Sequence, residues 1–124
     1  MSTLTADTAT VAVAAYLAAW NATDEERRAA IEAAVTSDVR YVDPLADVTG
    51  SAAFEKVVAG VREQFGGMPL TLVGEVDVHH DVCRFQWGLG PAGTDPLVIG
   101  FDVAVVAADG RIATVLGFLD KVPG

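Results

Sequence analysis

The chain has 124 residues, 52% of them apolar, so a single domain over residues 1–124 with a core of useful size is expected and disorder is excluded. Its 17 acidic against 8 basic side chains give a formal net charge of -9, which argues against nucleic acid and anionic membrane surfaces as partners. The single cysteine, Cys83, rules out an intrachain disulfide and any zinc site built from several thiolates.

Met1 to Asp7 has no basic stretch ahead of an apolar run and does not read as an export signal. The run Val11 to Trp20 is too short for a bilayer. A reducing cytoplasm is the expected compartment. From about Thr8 to Asn21, Val13, Tyr16, Leu17 and Trp20 recur at spacings of three and four, which predicts a helix with one large buried face. Thr23 followed by Glu26 has the form of a capping box and opens a second helix, expected to end near Thr36. Val39 to Asp43 is short, β-branched and aromatic, and reads as a strand stopped by Pro44. Gly50-Ser51 opens a third helix with a buried stripe of Phe54, Val57, Val58, Val61 and Phe65, ended by Gly66-Gly67.

The rest reads as strands: Leu70 to Val78, Val82 to Leu89, Leu97 to Ala107 and Arg111 to Leu119. His79-His80-Asp81 and Ala108-Asp109-Gly110 are the turns, and Gly90 to Asp95 is a loop. Leu97 to Ala107 is apolar on both faces except at Asp102, so both faces should be covered. The helices suffice for one face. A second copy of the chain is expected on the other, as a homodimer.

Helix, helix, strand, helix and then strands is the order of the NTF2-like superfamily, and three segments resemble its ketosteroid-isomerase-like and SnoaL-like members. They are Tyr16 to Asp24, Val42-Asp43-Pro44 with Gly50, and Phe101-Asp102 with the turn Asp109-Gly110-Arg111-Ile112. The resemblance implies an α+β, NTF2-like cone: three N-terminal helices packed on a curved antiparallel sheet that encloses a mostly apolar pocket. It also implies roles. Asp43 matches the general base, Tyr16 a donor to the substrate oxygen, and Asp102 a second donor kept protonated. The implied reaction is proton transfer next to a carbonyl of a small hydrophobic molecule, as in the isomerases or the polyketide cyclases, with no cofactor and no metal.

Each residue also has a plainer reading. Asp102, between Gly100 and Ala104 on one strand face, is either a neutral donor or a buried acid tied to a structural partner. Asp43 before Pro44 is either a base at a pocket mouth or a turn former. Tyr16 is either a donor or a core tyrosine. Trp20, Phe54, Val58, Phe65, Trp87, Phe101 and Phe118 are candidates for the pocket wall, with core packing as the alternative.

His79 and His80 point to opposite strand faces and do not chelate one ion. An epoxide-hydrolase-like Asp–Arg–Asp arrangement around Arg84 fails, because Gln86 and Gly117 stand where acids are needed. Arg84 is either a pocket residue or the partner of a nearby acid. Cys83 shares a face with Phe85 and Trp87 and reads as a packed thiol. The non-catalytic alternative is a ligand-binding or protein-interaction module on the same fold.

Overall fold

The structure is a computed structural model and describes residues 5–123. Thr5 caps the first helix, α1 (Ala6–Asn21), its hydroxyl accepting from the Thr8 amide at 3.1 Å. Tyr16, Leu17 and Trp20 are buried on its inner face. At its end the Asn21 side-chain amide donates to Leu70 O and accepts from Leu70 N, both at 2.8 Å. That clamp fixes α1 against the start of β3 (Leu70–His79). The Thr23–Glu26 box forms as expected, with the Glu26 amide donating to the Thr23 hydroxyl.

The second helix, α2 (Arg27–Ala34), stops two residues before the expected Thr36. Val35 is already in β1 (Val35–Asp43), paired with Ile112, and β-branched Val35 and Thr36 suit a strand better than a helix end. A strand absent from the sequence reading, β2 (Ala46–Thr49), follows after two residues and returns antiparallel to β1. Pro44 ends β1 but does not end pairing. The Asp43 carboxylate accepts from the Leu45 and Ala46 amides, both at 2.8 Å, and so supplies the turn itself. The third helix, α3 (Ser51–Gln64), buries Phe54 and Val58 and ends at Gly66 and Gly67, both at positive φ.

The remaining strands are β4 (Val82–Leu89), β5 (Val98–Val106) and β6 (Ile112–Lys121). The sheet order is β2-β1-β6-β5-β4-β3. One pairing departs from the expected all-antiparallel sheet: β1 runs parallel to β6. The chain enters β6 only after α3 and four intervening strands, so the β6 neighbour of β1 is not sequential and its direction is free of hairpin geometry. That pairing carries Asp43 into the neighbourhood of β5.

Residues of β5 alternate strictly. Val98, Gly100, Asp102, Ala104 and Val106 are buried on the helix-covered inner face, while Ile99, Phe101, Val103 and Val105 are half-buried on the outer one. Among the described residues no helix is long and apolar enough to cross a membrane.

Candidate active site

The inner face carries a cavity of about 50 Å³ between the sheet and the helices. Asp43 from the end of β1 and Asp102 from the middle of β5 both line it, with Trp20 from α1 and Trp87 from β4. Cross-strand register explains the convergence. Asp102 pairs with Gly117 on β6, and Val42, beside Asp43, pairs with Leu116. Gly117 therefore lies between the two acids. A Cβ there would meet an Asp102 carboxyl oxygen at 2.7 Å and the Asp43 Cβ at 3.6 Å, so any side chain would fill the space the carboxyl groups share.

The two acids sit in different surroundings. Asp43 is half-buried, and its carboxylate takes three hydrogen bonds: two from the Leu45 and Ala46 amides and one from the Tyr41 hydroxyl at 2.6 Å. Asp102 is only 4% exposed. Burial pushes its carboxyl up to about 7, with the Asp43 charge adding to the rise; the Trp87 indole N–H and the Tyr16 hydroxyl work against it. Neither of those donors closes to a hydrogen bond, and both the Trp87 Nε1 and the Tyr16 hydroxyl are buried without a partner among the described residues. The indole is held over Gly100, where a Cβ would lie 2.4 Å from the ring.

Tyr16 does not reach the cavity wall. It is 1% exposed, its ring stacked on Phe54 at 6.0 Å and edge-on to Phe85 at 5.9 Å. Burial together with the Asp102 charge holds its hydroxyl well above the usual phenol range. The phenol that lines the cavity is Tyr41. Burial and its hydrogen bond to Asp43 raise it in the same direction.

Of the seven wall candidates, Trp20, Trp87 and Phe118 touch the cavity. Phe54 and Val58 are wholly buried core residues off the cavity wall, Phe54 packed on Tyr16 and Trp20 of α1 and on Tyr41 of β1, and it is Val61, one turn further along the same stripe of α3, that reaches the hollow. Phe65 is half-buried against the core. Phe101 points to the outer face by strand alternation and stacks on Phe118 at 5.0 Å.

Sequence reasoning missed Tyr41, Val61, Leu70, Leu89, Gly117 and Leu119 as lining residues. Three of them had an available signal: Tyr41 lies two positions from Asp43 and Leu89 two from Trp87, each pair sharing a strand face, and Val61 belongs to the α3 stripe of Phe54 and Val58.

The other side chains weighed from the sequence lie elsewhere. Arg84 pairs with Asp77 across the β3–β4 ladder at 2.9 Å, both exposed, so it is the partner of an acid and no part of the cavity. Cys83 is buried and its thiol pushed up to about 11 by burial and the Asp102 charge, as a packed thiol should be. His79 ends β3 and His80 stands in the β3–β4 turn at positive φ, so their rings lie edge-on at 5.8 Å and not on opposite strand faces as expected; no metal-binding cluster occurs among the described residues.

The SnoaL-like domain model matches residues 13–115. The chain belongs to the SnoaL-like family. A candidate isomerase of that family from Agrobacterium tumefaciens strain C58 is 35% identical, with 93% of this chain and 99% of that one covered and a TM-score of 0.85. A candidate SnoaL-like polyketide cyclase from Jannaschia sp. CCS1 is 20% identical, with 97% and 90% covered and a TM-score of 0.75. At that identity only the fold is shared. A de novo designed protein with a curved β-sheet has the same fold at 14% identity and a TM-score of 0.71, over 94% of this chain and 88% of that one. No curated protein matches the chain. Membership of the SnoaL-like family fixes the NTF2-like architecture on which Asp43 and Asp102 stand, and leaves the chemistry to be argued from the cavity.

Proposed function

We propose that this chain is a cofactor-free acid–base enzyme that moves a proton next to a carbonyl of a small, neutral, hydrophobic substrate, as an isomerase or a cyclase. Asp43 takes a proton from the carbon beside the carbonyl. The C–H electron pair becomes a carbon–carbon π bond, and the carbonyl π pair moves onto oxygen. Neutral Asp102 donates a hydrogen bond to that oxygen as its charge grows. Tyr16 lies off the cavity wall and has no direct contact with the oxygen in this reading. In an isomerase Asp43 returns the proton to a carbon further along the conjugated system. In a cyclase the enolate carbon attacks a second carbonyl of the same substrate, and the alkoxide so formed takes the proton back.

One observation carries the reading: two carboxyl groups flank Gly117 in one cavity, one bound by three donors and the other buried with no hydrogen-bond donor closing on it, which holds its proton more tightly than usual. Paired acids in unlike surroundings are the usual arrangement for a base and a proton-holding donor. The names given to the Agrobacterium and Jannaschia relatives point the same way. Substrate charge follows from the lining, which includes two acids and no cation among the described residues. The cavity, about 50 Å³, is far smaller than the pockets of about 300–1,000 Å³ that enclose drug-sized ligands, so entry of even a small cyclic ketone requires Leu119, 37% exposed at its edge, to move aside.

A homodimer across the outer face is part of the proposal. The Phe101–Phe118 stack, with Leu116 37% and Phe118 54% exposed, is the apolar surface that supports it.

The test uses a β,γ-unsaturated cyclohexenone, whose conversion to the conjugated enone is read by ultraviolet absorbance. The wild-type chain should catalyse it, and Asp43→Asn should lower kcat by about 10²–10⁴-fold with an unchanged circular dichroism spectrum. Wild-type rates in the folded variant would remove Asp43 as the base. Saturable binding of the enone with no conversion would favour the ligand-binding module instead.

A further inference from the structure

The strand that ends in Asp43 also carries Tyr41, and the two side chains lie on one face. Tyr41 is nearly fully buried, pairs in register with Val48 on β2 and Val115 on β6, and packs its ring on Phe54 at 5.1 Å and on Trp20 at 6.1 Å. Its position is therefore fixed from the sheet and from both helices. Its hydroxyl has one hydrogen, and that hydrogen goes to Asp43 Oδ2 at 2.6 Å.

A lone-pair count on Asp43 gives this contact its meaning. Each carboxylate oxygen offers about two acceptor directions. Both directions on Oδ1 are taken by the Leu45 and Ala46 amides. On Oδ2 one is taken by Tyr41, and one remains.

We infer that Tyr41 is a positioning residue that orients Asp43 so that its Oδ2, through the single unoccupied lone pair, is the atom that accepts the substrate proton. This rests on the proposed acid–base reading of the cavity and adds to it which oxygen reacts and what aims it. The turn amides hold the Oδ1 edge of the carboxylate, and Tyr41 sets its rotation about the Cβ–Cγ bond. Without the phenol, Oδ2 has two open acceptor directions and the carboxylate is held from one edge only. A near-attack geometry is then populated less of the time, which lowers kcat more than it weakens substrate binding.

The test is Tyr41→Phe, which keeps the ring and its packing, examined by two independent readouts. The first needs no substrate: the Asp43 carboxyl-carbon NMR resonance at neutral pH, assigned by its disappearance in Asp43→Asn. It should move in Tyr41→Phe. The second is turnover of the β,γ-unsaturated cyclohexenone, for which kcat should fall about 10-fold or more while KM stays within about twofold. In Asp43→Asn, adding Tyr41→Phe should cost nothing further, because Tyr41 acts through Asp43.

An unmoved resonance overturns the contact and the role together. A moved resonance with an unchanged kcat, or with losses that multiply in the double variant, overturns the positioning role. A moved resonance in a protein that does not turn over the enone overturns the acid–base reading of the cavity, and the positioning role with it, while the Tyr41–Asp43 contact stands.

Discussion

Asp43 and Asp102 share one glycine between them and differ in where each stands on its strand. Asp43 is at a strand end, where the chain turns back and the Leu45 and Ala46 amides both point at its carboxylate and bond it. Asp102 is in the middle of β5, paired with Phe85 on one side and Gly117 on the other, so the neighbouring amides are engaged in the sheet. Only side-chain donors can reach it, and the two that face it, Trp87 and Tyr16, stop short of hydrogen bonds. A carboxyl group buried in mid-sheet keeps its proton for want of donors; the same group at a turn finds them in the backbone. Position on the strand gives two residues of one type unlike surroundings, and on the proposed reading that difference separates base from donor.

That contrast can be broken most forcefully through stability. The folded-state value of Asp102, about 7, lies above its ordinary value of 3.8. The folded protein therefore holds a proton that the unfolded chain has lost between about pH 4 and about pH 7. The effect of Asp102 on stability is most favourable on the acid side of that window, worsens as pH rises through it and levels off above about 7. The swing is about 4 kcal/mol, from roughly three pH units at 1.4 kcal/mol each. Asp102→Asn cannot titrate and should lack this decline. Urea unfolding of both proteins from pH 4 to pH 8 reads the difference, and parallel curves would contradict the burial argument.

Gly117→Ala attacks both acids at once. The added methyl meets an Asp102 carboxyl oxygen at 2.7 Å, so the buried carboxyl group must shift, and about 1–3 kcal/mol of stability should be lost in thermal unfolding, together with turnover. An alanine variant as stable and active as wild type would mean that the acids do not depend on that gap.

Much of this arrangement was legible in the sequence. The period-3.6 faces of α1 and α3 and the two-sided apolar pattern of β5 locate Asp102 on an inner face, and the resemblance of three segments names Asp43. What could not be read was long-range. The β1–β6 pairing is parallel and separated by more than sixty residues, so nothing local announces that Gly117 will stand between the acids. The hairpin into β2 was hidden because Pro44 reads as a stop, while the turn is made by a side chain. Tyr16 and Tyr41 both occupy apolar faces, and periodicity does not say which reaches the hollow. Packing on Phe54 and Phe85 buries Tyr16 in the core and off the cavity wall.

The account stands on Asp102 retaining its proton where an ordinary aspartate would not. Carboxyl-carbon NMR titration of the Asp102 resonance, assigned by its loss in Asp102→Asn, measures this directly. A midpoint at about 7 is the expected result, rising further in Trp87→Phe as one opposing donor is removed. A midpoint near 4 would mean that Asp102 is charged at neutral pH and cannot donate to a substrate oxygen.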